Sequence, residues 1–377
     1  MQAFKQPQKK RDKTVTIVGG GLAGLTLAIL LNRGGFDVTV VEKKVYPFHR
    51  VCGEYISNEV LPLLIKIGIH PSDYGASSIQ KLAVSSPSGR IFRTTLDLGG
   101  FGLSRFHLDQ LMFEQAKREG VQFLLGLKAN NIVFSDNNFT TSLSNHSDLI
   151  SSYVISAHGK RSNLDKHRAF FSKRSPYLGV KYHIKADLPR DLIQLDNFEG
   201  GYCGTVKIEQ DKYCLCYLTK TDNLKRAGSL EEMEKNILSR NPFLKHCFTE
   251  AEFIYDKPEV INEISFAVKS LIEDHVLFCG DSAGMISPLC GNGMAIAIHS
   301  AKILADLLCK YHLSPRSRLE QAYKQAWNNE FRRRLQFGRQ VQKLFGKNIL
   351  SEFAVSTLNI SPSLAEIIIK KTHGRPF

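Results

Sequence analysis

A glycine-rich turn between two short strands constrains the fold of this chain more than any other feature. Thr14–Val18 is an apolar, β-branched run, Gly19–Gly24 reads Gly-x-Gly-x-x-Gly, and an apolar-rich segment then leads to a second β-branched run at Val38–Val41. The order predicts a β-turn-α-β unit of about thirty residues. We therefore expect an α/β fold built around a parallel pair of strands.

Each glycine of the turn has its own mechanical role. Gly19 permits the tight turn from strand to helix, Gly21 lets the backbone approach a pyrophosphate, and Gly24 lets helix and strand pack closely. The phosphates would lie at the helix N-terminus, at Leu22 and Ala23, where free N–H groups and the helix dipole favour negative charge.

An acidic residue closes the second strand. Glu42 follows Gly24 by 18 residues, which is close to the spacing that lets a carboxylate accept hydrogen bonds from a ribose diol. A carboxylate disfavours a 2′-phosphate, so the motif predicts FAD or NAD rather than NADP. A turn that serves packing alone is the alternative, and it would not need Glu42.

The charge of the chain is strongly positive. Lys and Arg total 50 against 36 Asp and Glu, a net charge of +14 in 377 residues. This excess favours anionic partners such as pyrophosphate cofactors, acidic carrier proteins or lipid head groups, without selecting among them. No helix-turn-helix, zinc-finger or RNA-recognition signature accompanies the charge, so we expect no nucleic-acid partner.

Cysteine usage and hydropathy indicate the compartment. No apolar run approaches the roughly 18–20 residues that a transmembrane helix needs, and the basic N-terminal segment lacks a secretory cleavage site. Eight cysteines without a Cys-x-x-Cys pair predict reduced thiols in a cytoplasmic protein. Cys214 and Cys216 share one face of a predicted strand, but two ligands do not make a zinc site, and no metal is expected.

Four motifs in a fixed order extend the pattern beyond the first turn. They are Gly19–Gly24 with Glu42 and Lys43, Arg105–Leu111, Ala157–Ser162, and Gly280–Ala283 with Pro288–Met294. Together they resemble the p-hydroxybenzoate-hydroxylase-fold flavoproteins, nearest the branch of geranylgeranyl reductases and flavin monooxygenases. The resemblance implies FAD as the cofactor.

The same resemblance implies a mixed α/β (α+β) fold with a glutathione-reductase-like Rossmann FAD domain, an inserted β-sheet substrate domain and a helical C-terminal tail. The predicted FAD-binding domain consists of residues 1–75, 101–175 and 270–312. The predicted substrate domain consists of residues 76–100 and 176–269, and the helical C-terminal region is 313–377.

The resemblance also implies roles for single residues. Arg105 opens a helix along the cofactor, Arg50 lies near its pyrophosphate or ribityl region, and Asp281, next to Gly280, accepts a ribityl hydroxyl. A helix N-terminus would face the flavin pyrimidine edge, where it stabilises the negative charge of the reduced ring. The residues that begin this helix are Gly291, Asn292, Gly293 and Met294. A turn or capping aspartate is the alternative for Asp281.

Two departures from the family narrow the function. The usual Ala-Asp-Gly reads Ala157-His158-Gly159, which leaves direct reduction by NAD(P)H open and favours an external electron-donor protein. The halogenase signature Trp-x-Trp-x-Ile-Pro is missing, since Trp327 is the only tryptophan, and we expect no halogenation.

Two residues are candidates for catalysis. Cys52 matches a reductase cysteine near the flavin ring, and its thiol could donate a proton opposite hydride delivery. The alternative is a small buried hydrophobe. Tyr202 matches the tyrosine of a segment over the reductase substrate tunnel, and the alternative is a strand aromatic with its hydroxyl at the surface. Glu54 is expected to be a solvated or structural carboxylate.

The leading hypothesis is an FAD-dependent oxidoreductase that delivers hydride from reduced flavin to a C=C bond of a small organic or lipophilic substrate. A flavin-dependent monooxygenase that hydroxylates an aromatic or polyketide-type substrate is the alternative, and a non-catalytic flavin redox sensor or carrier is a third. The amphipathic, basic stretch 331–345 predicts either peripheral contact with an anionic membrane or docking of its apolar face on the core.

Overall fold

Three sheets and ten helices make up the part of the chain that the computed structural model describes, residues 13–172, 175–286, 291–344 and 346–377. The strands in chain order are β1 (Thr14–Val18), β2 (Asp37–Glu42), β3 (Tyr55–Ser57), β4 (Ser77–Ser85), β5 (Ile91–Gly102), β6 (Gln122–Leu125), β7 (Ala129–Ser135), β8 (Asn138–Leu143), β9 (Asp148–Ser151), β10 (Tyr153–Ser156), β11 (Tyr177–Lys185), β12 (Leu192–Phe198), β13 (Gly201–Lys207), β14 (Tyr213–Lys220), β15 (Glu252–Phe253), β16 (Glu259–Ile261), β17 (Ile272–Glu273) and β18 (Val276–Phe278). The helices are α1 (Leu22–Arg33), α2 (Leu61–Lys66), α3 (Arg105–Arg118), α4 (Thr221–Ala227), α5 (Leu230–Asn236), α6 (Pro242–Glu250), α7 (Gly293–Tyr311), α8 (Arg316–Leu344), α9 (Asn348–Ile360) and α10 (Pro362–Thr372).

A six-stranded sheet contains the predicted β-turn-α-β unit. Its order is β17-β18-β10-β1-β2-β6, and all neighbours are parallel except β17, which runs antiparallel to β18. β1 lies in the middle of the sheet, and its last four residues are buried. Helix α1 ends at Arg33, and Gly35 (φ +74°) follows in the left-handed conformation that a glycine adopts at low cost. The predicted α/β class is therefore confirmed.

A nine-stranded sheet forms a second layer. Its order is β15-β11-β14-β13-β12-β4-β5-β3, with β16 also paired to β11, and its pairs are antiparallel except β4 with β12. Strand β3 comes from the segment predicted for the FAD-binding domain, yet Tyr55 pairs with Gly102 of this second sheet. The chain thus crosses between the sheets just after Cys52, and the division into domains stays a prediction.

The C-terminal region is helical, as the sequence predicts, but it forms three helices with two different packing partners. Helix α8 buries Trp327, Phe331 and Leu335 in the main core, so its apolar side is occupied by the protein itself. Helix α9 lies on the second sheet, where Asn359 Nδ2 donates to Ile91 O at 3.2 Å. No helix among the described residues combines the length and hydropathy needed to cross a bilayer.

Candidate active site

One cavity of about 1120 Å³ brings most of the predicted site residues together. It begins at the glycine turn, passes between the two sheets and ends under α9 and α10. Among its lining residues are Gly19, Gly21, Leu22, Ala23, Glu42, Lys43, Arg50, Cys52, Arg105, Tyr202, Asp281, Gly291, Gly293 and Met294. Gly24, Gly280 and Asn292 are neighbours of lining residues but do not line the cavity themselves. Pro288–Cys290 lie outside the described residues.

The three glycines differ in what a side chain would meet. A Cβ at Gly19 (φ +107°) would lie 2.4 Å from Ala157 O, and one at Gly24 would lie 1.9 Å from the oxygen of Gly19. These two positions therefore require glycine for turn and packing. A Cβ at Gly21 would come no closer than 3.6 Å to Arg105 Nη2, because Gly21 faces the open cavity. This is the surface on which a pyrophosphate would rest.

Glu42 closes the adenosine end of the cavity. Its Oε2 accepts from Gly20 N at 2.9 Å and lies 3.2 Å from Arg50 Nη2, and its Oε1 accepts from Lys44 N at 3.1 Å. Both lone pairs of Oε2 are therefore used, whereas Oε1 keeps one that a ribose hydroxyl could use. The carboxylate is thus fixed beside the glycine turn, where the sequence predicts a ribose partner.

Asp109 is a site residue that sequence reasoning missed. Its Oδ2 accepts from Arg50 Nε at 2.9 Å and from Arg105 Nη2 at 2.8 Å, and its Oδ1 accepts from Arg105 Nε at 2.7 Å. Burial lowers the pKa of Arg105, but the paired Asp109 more than compensates and the pKa is raised. The i,i+4 spacing between Arg105 and Asp109 on α3 could have predicted this ion pair from the sequence.

A second helix N-terminus faces the same cavity. Helix α7 begins at Gly293, and the preceding Asn292 forms no side-chain cap, so the first N–H groups of the helix are available to a ligand. Asn292 Nδ2 donates to Thr372 O at 2.9 Å, which leaves its buried Oδ1 without a hydrogen bond among the described residues. The Tyr55 ring packs against Gly291 (φ +64°), two residues before the helix begins.

Asp281 lies in a 3-10 turn, Gly280–Ser282, between α7 and the glycine motif. Its carbonyl accepts from Lys269 Nζ at 2.7 Å, and a second carbonyl, Lys160 O, accepts from the same ammonium at 2.8 Å. Burial lowers the pKa of Lys269 to about 8, although the Asp281 carboxylate opposes the shift. Lys269 gave no sequence signal, because it lies in a stretch without regular structure.

His158, which replaces the family's aspartate, is held from both sides. Its Nδ1 lies 2.6 Å from Ser156 Oγ and its Nε2 lies 2.9 Å from Asp165 Oδ2. Asp165 also accepts from Arg168 Nη1 at 2.8 Å, and that guanidinium donates to Ser282 O at 2.9 Å. Burial lowers the pKa of His158 more than Asp165 raises it, which favours the neutral ring.

Cys52 is half-buried on the cavity wall, between the cofactor end and the second sheet. The Arg105 guanidinium lies close enough to interact electrostatically with Cys52. The Cys52 carbonyl accepts from the thiol of Cys214 at 3.3 Å, which ties this segment to the second sheet.

Glu54 anchors the segment that carries Cys52. It is fully buried with φ +55°, and its carboxylate contacts Lys181 Nζ at 2.8 Å, His183 Nε2 at 2.6 Å and Arg105 N at 2.9 Å. Burial raises the pKa of Glu54, but Lys181 and His183 more than offset this effect and hold it at about 2. Of the two expected roles, solvated or structural, Glu54 therefore has the structural one.

Ligand atoms of Glu54, His183 and Cys214 lie within 4.8 Å of one another. A metal ion does not fit there, because Lys181 already occupies the carboxylate and would repel a cation. Burial also raises the pKa of the Cys214 thiol well above its usual range, which disfavours the thiolate that a metal binds. We therefore interpret the three residues as packing and hydrogen-bonding partners.

Tyr202 lies on β13 and is 4% exposed, so the interpretation with its hydroxyl at the surface is wrong. It lines the cavity and packs with Leu218, Ile264, Met285 and Val341. The part of the cavity wall toward the C-terminal helices is predominantly apolar. Its lining residues there include Leu82, Val84, Phe92, Leu96, Ile193, Leu195, Phe353, Leu358, Leu364 and Ile368.

The half of the cavity next to the glycine turn has a geometry that fits FAD. Two helix N-termini without side-chain caps, at Gly21 and Asn292, face one cavity, as a pyrophosphate and a reduced flavin ring require. The cavity volume exceeds the roughly 300–1,000 Å³ of ordinary ligand pockets, which leaves room for a cofactor and a substrate together.

Comparison with known proteins supports this assignment. The chain is 22% identical over 376 residues to digeranylgeranylglycerophospholipid reductase 1 of Methanopyrus kandleri, covering 94% of this chain and 96% of that protein. It is 22% identical over 314 residues to tryptophan 2-halogenase of Chondromyces crocatus, covering 77% of this chain but about 60% of the halogenase's length. The expectation against halogenation is untested by these similarities.

A solved structure shows the same fold. The flavin-dependent brominase Bmp2 superimposes with a TM-score of 0.78 at 17% identity, over 95% of this chain and 92% of that one. Residues 12–327 match the family model for the FAD binding domain. The chain therefore belongs to the FAD binding domain family.

Proposed function

We propose that this protein is an FAD-dependent oxidoreductase that reduces a carbon–carbon double bond in a long, apolar substrate. The observation that carries the proposal is the continuity of the cavity. Its polar half has the features of an FAD site, Cys52 lies at the junction, and the apolar half extends to α9 and α10. A small aromatic substrate would leave most of this apolar wall in contact with water, at a cost that grows with the area exposed.

Two protein groups would support the reduction. Reduced FAD, held by the glycine turn together with Arg50 and Arg105, would supply a hydride to one alkene carbon. The Cys52 thiol delivers a proton to the other carbon, and the remaining thiolate is stabilised by the adjacent Arg105 guanidinium until solvent returns the proton. The alkene gains two electrons and two hydrogens, and the cofactor is oxidised.

The electron source would be a reduced carrier protein. In family members the position of His158 carries an aspartate linked to nicotinamide use, and here the ring is occupied by Ser156 and Asp165. The positive net charge favours an acidic donor. We propose the cytoplasm as the compartment, because the seven cysteines within the described residues are all free.

Anaerobic stopped-flow reoxidation tests the proposal. The protein is reduced with dithionite under nitrogen and mixed with geranylgeraniol in detergent, and the flavin absorbance is followed. We expect oxidation of the flavin without oxygen and a product heavier by two hydrogens. Turnover only in air, with one labelled oxygen atom in the product, would establish the monooxygenase instead. A flavin whose oxidation responds to no substrate would support the sensor or carrier.

A further inference from the structure

The outer surface of α9 and α10 exposes large apolar side chains. On α9, Ile349 is 84%, Phe353 70% and Ile360 85% exposed, and their spacing of four and seven residues places them on one side of the helix. Leu364 and Ile367 continue the exposure on α10. We call Ile349, Leu350, Phe353, Ile360, Leu364 and Ile367 the tail face. A contiguous apolar surface of this kind marks an interaction site.

The tail face is also the rim of the cavity. Leu350, Phe353 and Leu364 are exposed to solvent and line the cavity at the same time. The inner sides of the same two helices, including Leu358 and Ile368, form the apolar wall behind them. An apolar molecule on the tail face would therefore pass into the cavity without crossing a polar surface.

Exposed cations flank the two helices of the tail face in the sequence. Lys347 precedes α9, Lys370 and Lys371 end α10, and Arg375 follows, and all four are exposed. Of the two carboxylates in these helices, Glu352 accepts from Ser88 N at 2.8 Å and so points to the sheet. The other, Glu366, lies 3.9 Å from Lys370 Nζ. The charged margin is thus net positive.

We propose that the tail face lies on an anionic bilayer and that a long-chain lipid substrate enters the cavity there, past Phe353. This inference rests on the proposed function and specifies its substrate as a membrane lipid. Apolar side chains ringed by Lys and Arg are the arrangement that binds the interface of anionic membranes. A second copy of the chain fits less well, because its own cations would meet these. An acidic carrier protein would pair with the cations but leave the tail face in water.

Vesicle flotation tests the surface directly. The FAD-loaded protein is mixed with vesicles of phosphatidylcholine and phosphatidylglycerol, or of phosphatidylcholine alone, and the bound fraction is measured. We expect the protein to bind the anionic vesicles. Binding should fall about tenfold in Phe353→Glu, because the aromatic ring that the bilayer would bury is lost. Lys370→Ala should lower it about fivefold. The control Ile150→Glu changes an equally exposed apolar residue on β9, and it should bind as the unchanged protein does.

A fluorescence variant reports insertion at the rim. Trp327 is the only tryptophan and is buried, so Phe353→Trp adds a probe whose emission is distinguishable. Its emission should shift to the blue with anionic vesicles and be quenched by brominated lipid. An unshifted spectrum, equal binding of Phe353→Glu, or no binding to anionic vesicles would overturn the proposal. Self-association lost in Phe353→Glu, or capture of an acyl carrier protein that blocks vesicle binding, would replace the bilayer by that partner.

The outcome separates this inference from the proposed function. Reduction of detergent-dispersed geranylgeraniol without vesicle binding would remove the bilayer surface and leave the reductase. Vesicle binding without any alkene reduction would keep the membrane surface and remove the reductase.

Discussion

The Nε2 atom of His158 lies 2.9 Å from Asp165 Oδ2 in a position where the His158 side chain is 6% exposed. A carboxylate at position 158 would therefore face a second carboxylate. We expect His158→Asp to lower the free energy of unfolding by about 2–3 kcal/mol, because the new carboxylate is buried against Asp165, whose own cation partner is Arg168. It should not restore rapid reduction by NADPH unless Asp165 is also neutralised. Urea unfolding and anaerobic flavin bleaching of His158→Asp and of His158→Asp with Asp165→Asn check both statements.

Glu42 should decide FAD affinity through charge. Glu42→Gln keeps the shape but weakens the contacts to Gly20 N and Arg50, and we expect FAD binding about tenfold weaker. Glu42→Arg places a cation against Arg50 and the ribose hydroxyls, with an expected loss of about 100-fold or more. Quenching of FAD fluorescence by the apoprotein measures both. Equal affinity in all three proteins would remove Glu42 from the cofactor site.

Asp109 is predicted to matter for both stability and cofactor binding. Asp109→Ala leaves Arg50 and Arg105 without their shared carboxylate, and we expect about 3 kcal/mol less stability. FAD affinity should fall too, since both guanidinium groups line the cavity. Glu114→Ala, on the exposed side of the same helix, is the matched control. If Asp109→Ala has the same free energy of unfolding and the same FAD affinity as this control, the contacts of Asp109 with Arg50 and Arg105 do not have the assigned role.

Loss of the Cys52 thiol should slow the chemical step alone. In Cys52→Ser we expect alkene reduction to fall by about 100- to 10,000-fold with unchanged FAD content, as when a positioned acid is removed. Cys216→Ser alters another thiol on the cavity wall and should keep nearly full activity. If Cys52→Ser loses FAD instead, the residue is a packing group beside the cofactor. If substrate oxidation by O2 continues unaffected, the monooxygenase gains support.

Asp196 should make the protein less stable as pH rises from 4 to 7. Burial raises the pKa of this carboxyl to about 6, although Ser85 and Gln194 donate hydrogen bonds to it. The group's contribution is present below its unfolded pKa near 4 and is lost as pH rises through 6, an effect of about 3 kcal/mol. Unfolding of Asp196→Asn at several pH values should show a shallower dependence in this window. Glu54 and Glu209 have pKa values held at about 2, so their contribution to the free energy of unfolding is lost as pH falls toward 2.

The features that follow from neighbouring residues could be predicted from the sequence. The turn at Gly19, the carboxylate at Glu42 and the strand Thr14–Val18 depend on short-range spacing, and the structure has them where they were expected. Helix α3 begins at Arg105, as the family resemblance implied.

Features that depend on long-range packing were not predictable in the same way. Glu54 meets Lys181 and His183 across more than a hundred residues of sequence, and no local spacing encodes that contact. The break between α9 and α10 did have a local signal, because Ser361 precedes Pro362 and a proline favours the first turn of a new helix. The apolar exposure of Phe353 required the structure, since its sequence environment resembles that of a core helix.

The far end of the cavity is lined by α9 and α10, which follow the glycine motifs, Cys52 and both sheets in the chain. Its depth is therefore set by side chains that play no part in holding the cofactor. Lengthening or shortening the accepted hydrocarbon would need changes only in this hairpin, at positions such as Leu358 and Ile368. A lineage with this architecture can diversify its substrates through its last two helices while the redox centre stays constant.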